Sequence, residues 1–231
     1  MTATAPEPDD LEPIGTDPAL QALQERLKAR GYELTPASEL DTPTHVTETE
    51  ADKAQRLAAR QAVYRARWEA QVPPMFRDAR LADLDESQAV TWERESLNLV
   101  LAGPVGTGKT HAAYAFGNEM AQAGRWVCAT TVVDLLAAMR PDGDPGLVKA
   151  AQECAILILD DLGAGKASEF AVEQMTALLD RRVREERHTI VTTNVPEGDL
   201  EAAWGGRFMD RLRFKRTVKV FSGPSRRKAA W

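Results

Sequence analysis

The chain has 231 residues, 43% of them hydrophobic and 28% charged, enough for one globular domain of ordinary size plus some sequence outside it. No apolar run approaches the ~20 residues of a membrane span, and the acidic, Pro-rich start lacks a signal-peptide core, so a soluble, cytoplasmic chain with no membrane partner is expected. The only cysteines, Cys128 and Cys154, sit in apolar strand-like runs and read as buried thiols rather than a disulfide or a metal site.

The net charge of −6 conceals an asymmetry, because residues 1–50 hold eleven acids against Arg26, Lys28 and Arg30. From Gly205 to Trp231, nine Lys and Arg face Asp210 alone, so an acidic balance does not exclude an anionic ligand.

In chain order, residues 1–50 form an acidic arm. Six of the thirteen prolines fall in its first 43 residues, and with Thr, Glu and Asp between them it cannot build a core and is expected to be largely disordered. One short helix is predicted inside it over 18–30, opened by Asp17-Pro18 and closed by Gly31, with Leu20, Leu23 and Leu27 on one face. A linker helix is predicted over 51–74. Thr47 and Glu50 offer a capping box, Leu57, Tyr64 and Trp68 follow, and Pro73-Pro74 stops it.

From residue 75 to 231 short apolar runs alternate with longer amphipathic ones. Strands are predicted at Leu97–Ala102, Trp126–Thr131, Ala155–Asp160, Thr189–Thr193 and Thr217–Phe221, and helices at 109–123, 132–139, 169–186 and 197–212. This alternation implies an α/β domain, a largely parallel sheet covered by helices on both faces.

The first strand runs into Gly103, Pro104, Val105, Gly106, Thr107, Gly108, Lys109 and Thr110, a phosphate loop in the required strand-to-helix context. Its glycines allow successive backbone N–H groups to turn around phosphates, Lys109 reaches the terminal phosphates, and the Thr110 hydroxyl can ligate Mg²⁺. Asp160 and Asp161 close the run Ile156 to Leu159, where a parallel sheet places its ligands. Asp160 is expected to hold Mg²⁺ through water and Asp161 to polarise the attacking water. A whole strand-and-helix unit, Trp126 to Met139, separates loop and acids, so another strand is expected between theirs. The next strand ends at Asn194, whose amide can orient the attacking water or the γ-phosphate. ATP and Mg²⁺ are the expected ligands.

These segments resemble the AAA+ ATPases of the group that contains DnaC-type helicase loaders and IstB-type transposition helpers, over roughly residues 72–228. The resemblance is carried by Val72 to Ala79, Gly103 to His111, Leu157 to Ala164, Arg181-Arg182, Thr189 to Asn194, Gly206 to Leu212 and Ser225-Arg226-Arg227. It implies a loader that hydrolyses ATP, binds single-stranded DNA, self-assembles into a ring or spiral and delivers a DnaB-type replicative helicase. A transposase helper and a nucleotide-switched adaptor with little turnover are the alternatives.

Through the resemblance, the nucleotide-binding segment extends to His111, Arg211 looks like the arginine finger that reaches a neighbour's γ-phosphate, with Arg207 as second choice, and Arg227 looks like the sensor-2 arginine. No complete C-terminal helical lid is expected before Trp231. Lys166, Ser168 and Phe170 occupy the loop that similar loaders turn toward the central axis, where Phe170 could stack on a base and Lys166 meet a phosphate. His45, His111 and His188 are isolated and receive no chemistry of their own.

Overall fold

The computed structural model describes residues 25, 49–84, 96–163, 165 and 167–226. Contacts divide the chain into two units, Met1–Thr49 and Glu50–Trp231, of which the second is treated below. The helix predicted at 18–30, Thr47, Lys166 and Arg227 fall outside the described residues.

The first element is α1, Glu50–Gln71, which buries Trp68 alone. Tyr64 stacks on Trp126 with ring centroids 5.6 Å apart, so α1 is anchored through its second half. Beneath Trp68 lies Gly117, where an added Cβ would stand 2.4 Å from the indole ring; the missing side chain is what lets the indole approach. The indole Nε1 donates to Asn118 Oδ1 at 2.8 Å. Asn118 Nδ2 in turn donates to the carbonyls of Phe76, Arg77 and Ala79 at 2.9, 3.2 and 2.8 Å. One buried amide thus ties the segment after α1 to the helix that follows the phosphate loop.

Five parallel strands, β1 Asn98–Ala102, β2 Val127–Thr131, β3 Ile156–Asp160, β4 His188–Thr193 and β5 Arg216–Val220, form a sheet in the order β2-β3-β4-β1-β5. β4 separates the strand of the phosphate loop from the strand of the acids, as their spacing implied. Successive residues of a strand face opposite sides. Val100, Leu157, Leu159 and Val191 enter one core, and Leu99, Leu101, Ile156, Ile158 and Ile190 enter the other.

α2, Lys109–Gln122, and the end of α1 cover the second core, while α3 Val132–Ala138, α4 Pro145–Glu153, α5 Glu169–Arg184, α6 Glu197–Trp204 and α7 Gly206–Arg213 cover the first. Arg182, fully buried, donates to Thr189 Oγ1, Ala151 O and Cys154 O at 3.0, 2.7 and 3.1 Å. It fastens α5 to the ends of α4 and β4. Both cysteines are free and buried.

Two elements differ from the sequence reading. The Pro- and Gly-rich stretch after Met139 contains a helix, α4, because Asp144 Oδ1 caps Gly146 N at 2.8 Å and Pro145 takes the first turn. It buries only Ala151 fully, too little for an apolar stripe. The helix predicted at 197–212 is two helices, broken where Gly205 takes φ +82°. Among the described residues no helix follows β5.

Candidate nucleotide-binding site

At the end of β1 the chain is pinned on both sides: Gly103 N donates to Thr193 O at 3.1 Å, and Phe221 N donates to Ala102 O at 2.7 Å. Gly103 has φ +142°, and a Cβ there would stand 2.2 Å from the Phe221 carbonyl oxygen. Gly106, at φ +84°, faces Ser225 in the same manner, and Arg226 N donates to Gly106 O at 2.9 Å. Strand β5 and the residues after it therefore brace the loop from one side. Within the loop, Thr107 Oγ1 donates to Pro104 O at 2.9 Å. Lys109, only 8% exposed, donates from Nζ to the carbonyls of Gly103 and Pro104 at 2.7 and 2.8 Å. The charge is thus held over the loop that would receive phosphate.

Behind the loop, Thr110 Oγ1 donates to Asp160 Oδ1 at 2.9 Å. Thr192 Oγ1, from β4, donates to the same oxygen at 2.6 Å and accepts from Asp161 N at 2.9 Å. The strand register makes this possible, because Leu159 pairs with Val191 and Ala102 with Thr193, which keeps the carboxyl ends of β1, β3 and β4 level. Asp161 adopts φ +60°, a left-handed conformation costing on the order of 1–3 kcal/mol in a residue with a Cβ. The Thr192 contacts, including Leu162 N to Thr192 O at 2.9 Å, maintain it.

Thr110 and Asp160 place two hard oxygen donors 2.9 Å apart, a fit for Mg²⁺, which takes one or two protein oxygens plus phosphate and water. No group of three or more His, Cys, Asp or Glu able to hold a metal occurs among the described residues. The remaining ligands would therefore come from nucleotide and solvent.

These groups open on a cavity of about 710 Å³ lined by Val105, Gly106, Gly108, Lys109, Thr110, His111, Asp161, Thr192, Thr193 and Asn194. Met75, Phe76, Asp83 and Arg226 complete the lining. Phe76 stacks on Tyr114, centroids 4.7 Å apart, and meets His111 edge-on at 6.3 Å. Burial, reinforced by the Asp160 charge, pushes the Tyr114 phenol up to about 12, so it stays neutral beside the acids.

Of the residues singled out from sequence, Val105, Gly106, Gly108 to His111, Asp161 and Asn194 line this cavity, and Gly103, Pro104, Thr107 and Asp160 frame it. Arg211 lies elsewhere, on α7, bonded through Nε to Asp180 Oδ1 at 2.6 Å. Arg207 is exposed in the first turn of α7. Ser168 caps α5, its hydroxyl accepting from Ala171 N at 3.2 Å, and Phe170 is 39% exposed beside it. Thr192, Arg226, Met75, Phe76 and Asp83 are additional site residues. Phe76 and Arg226 stand inside the stretches Val72–Ala79 and Ser225–Arg227 that carry the resemblance, which was the available signal. Thr192 stands likewise inside the stretch Thr189–Asn194 that carries the resemblance.

A phosphate loop on β1, paired acids on β3 and an intervening β4 in a β2-β3-β4-β1-β5 sheet define a P-loop ATP-binding protein of the AAA+ class. A family model described as IstB-like ATP binding protein matches residues 51–228, and the chain belongs to that family. It is similar to the replicative helicase loader DnaC of Escherichia coli (strain K12), 28% identical over 129 residues, 53% of each chain. It is also similar to the uncharacterized protein YdaV of the same strain, 29% identical over 120 residues, 50% of this chain and 48% of that one. The match thus spans about half the length of these curated relatives. A crystal structure of DnaI shares the fold, with a TM-score of 0.58 at 22% identity over 68% of this chain and 95% of that one. No helix among the described residues is long and apolar enough to cross a membrane.

Proposed function

We propose that the chain is an ATP-hydrolysing helicase loader that binds single-stranded DNA and delivers a DnaB-type replicative helicase. The observation carrying this reading is the convergence of Lys109, Thr110, Asp161 and Asn194 on one cavity, with Asp160 bonded to Thr110 behind it. The likeness to DnaC supports the choice of partner.

In this reading the loop amides and Lys109 bind the triphosphate, and Met75 and Phe76 offer the base an apolar wall. Thr110 and Asp160 would hold Mg²⁺, which would supply neutralisation of phosphate charge when bound. Asp161 accepts a proton from the attacking water, and Asn194 orients that water or the γ-phosphate. Arg211 of a neighbouring protomer completes the site, which makes turnover depend on self-assembly. Phe170 and Lys166 contact DNA, and the Leu20, Leu23 and Leu27 stripe docks on the helicase. Arg227 senses the nucleotide from the same basic segment as Arg226.

The family match favours a second reading, an ATPase helper of a DNA transposase. Pulldown from the native host separates them: recovery of a replicative helicase supports the loader, and recovery of a transposase in its place overturns it. Steady-state ATPase with and without single-stranded DNA tests turnover, and ATP binding without hydrolysis in either condition would leave an adaptor.

A further inference from the structure

The three arginines of α7 are held in different ways. Arg213 is bonded twice, with Nε on Glu197 Oε1 and Nη2 on Glu201 Oε2, both at 2.7 Å. Arg207 is exposed and makes no ion pair among the described residues. Arg211 is intermediate. Its Nε donates to Asp180 Oδ1 at 2.6 Å, its side chain is 37% exposed, and its terminal nitrogens make no hydrogen bond or ion pair among the described residues. Asp180 stands on α5, and its second oxygen, Oδ2, lies 3.6 Å from Arg184 Nη1 one turn further on. The carboxylate thus faces one cation on its own helix and, more closely, the Arg211 guanidinium on α7.

We propose that Asp180 is a positioning residue that holds Arg211 by Nε and presents its two terminal nitrogens to the phosphoryl group bound by a neighbouring protomer. The inference rests on the reading of Arg211 as a finger in trans. A guanidinium is planar, so one strong bond at Nε sets its plane while the two terminal nitrogens remain for a phosphoryl group. An arginine acting only at the moment of phosphoryl transfer gains most from being oriented beforehand, because a misplaced group forfeits rate rather than ground-state binding. Engagement of both Nε and Nη2, as at Arg213, would leave no such fork.

A mixing assay on the full chain tests this. Asp161→Asn supplies intact fingers to the intact sites of Arg211→Ala, and with co-assembly verified, mixtures should hydrolyse ATP faster than either variant alone. Introducing Asp180→Asn into the Asp161→Asn chain should lower the recovered kcat about ten-fold at unchanged KM for ATP. Asp180→Glu in its place should restore part of that loss. Undiminished recovery with Asp180→Asn overturns the role of Asp180 and leaves the finger reading standing. Absence of recovery in the parent mixture overturns the finger reading, and the proposal with it. If Asp180→Asn lowers melting temperature and ATP affinity in step with kcat, its role is structural and the proposal fails.

Discussion

Thr192 and Asp160, on neighbouring strands, are joined by a hydrogen bond of 2.6 Å from the threonine hydroxyl to carboxylate oxygen Oδ1. The same hydroxyl accepts from Asp161 N at 2.9 Å, so one buried side chain sets the orientation of the first acid and the backbone of the second. Thr110 reaches the same oxygen of Asp160 at 2.9 Å, which links the phosphate loop to β4 through a single atom.

Thr192→Val keeps the shape of the side chain but removes both bonds. The carboxylate then keeps Thr110 but loses one of its two donors, and the strained Asp161 N–H loses its acceptor, together costing about 1–3 kcal/mol of stability. ATPase turnover should fall about ten-fold while nucleotide affinity measured without Mg²⁺ is retained. Turnover equal to the parent's would show that the threonine does not orient the acids.

Lys109→Ala removes the ammonium that lies over the loop carbonyls of Gly103 and Pro104. Affinity for a fluorescent ATP analogue should drop more than about ten-fold, since charge-assisted contacts to phosphate are among the stronger polar interactions. A variant with an unchanged circular dichroism spectrum and unchanged affinity would place the nucleotide elsewhere.

The number and kind of the strands were legible because the buried strands are short apolar runs, and because Gly103 to Thr110 and Asp160-Asp161 mark the ends of two of them; of their order in the sheet, only the presence of a strand between those two was read. The cavity's far wall was harder to read. Met75 and Phe76 are held there by the Asn118 amide, which binds three carbonyls between Phe76 and Ala79, and by the stacking of Phe76 on Tyr114, and no local pattern announces such long-range contacts. Helix α4 was hidden for another reason: Asp144 and Pro145 start it, but its first turn holds Pro145 and Gly146 and it fully buries only Ala151, so it shows no apolar stripe. The Asp180–Arg211 pair spans 31 residues, a separation at which sequence alone does not pair charges.

Gly117→Ala should destabilise the fold even though alanine is the better helix former. The new methyl would sit 2.4 Å from the Trp68 ring and 3.1 Å from the Ile158 side chain. Overpacking of about 1–3 kcal/mol outweighs the helix-propensity gain of about 1 kcal/mol. Thermal melting checks the sign, and a raised melting temperature would mean that α1 moves away at little cost.

Phe170 offers an exposed ring next to the N-terminal cap of α5. Phe170→Ala should weaken single-stranded DNA binding by about 1–3 kcal/mol while leaving the salt dependence unchanged, because stacking is lost but no phosphate contact is. Lys166→Ala should instead flatten the salt dependence. Equal affinities for parent and Phe170→Ala at fixed salt would remove the ring from the DNA site.

His188 supplies a pH dependence with a definite sign. Burial, with the positive charges of Arg125 and Arg182 added, holds its imidazole below the ordinary value of 6.5. The unfolded chain therefore takes up a proton near pH 6.5 that the folded chain still refuses, so stability falls as pH drops through that value. The loss levels off only below the folded pKa. Glu197 and Glu201 behave differently: Arg213 holds both below the usual carboxylate value of 4.5. Their contribution is present above that value and is lost only as pH falls further, through their folded pKa values. The two windows are separate, so melting temperatures recorded from about pH 7.5 down to about pH 5.5 report mainly on histidine. His188→Gln keeps a polar side chain of similar length that does not titrate, and its melting temperature should decline less over this range than the parent's. Parallel curves for the two proteins would show that His188 titrates alike in the folded and unfolded chain.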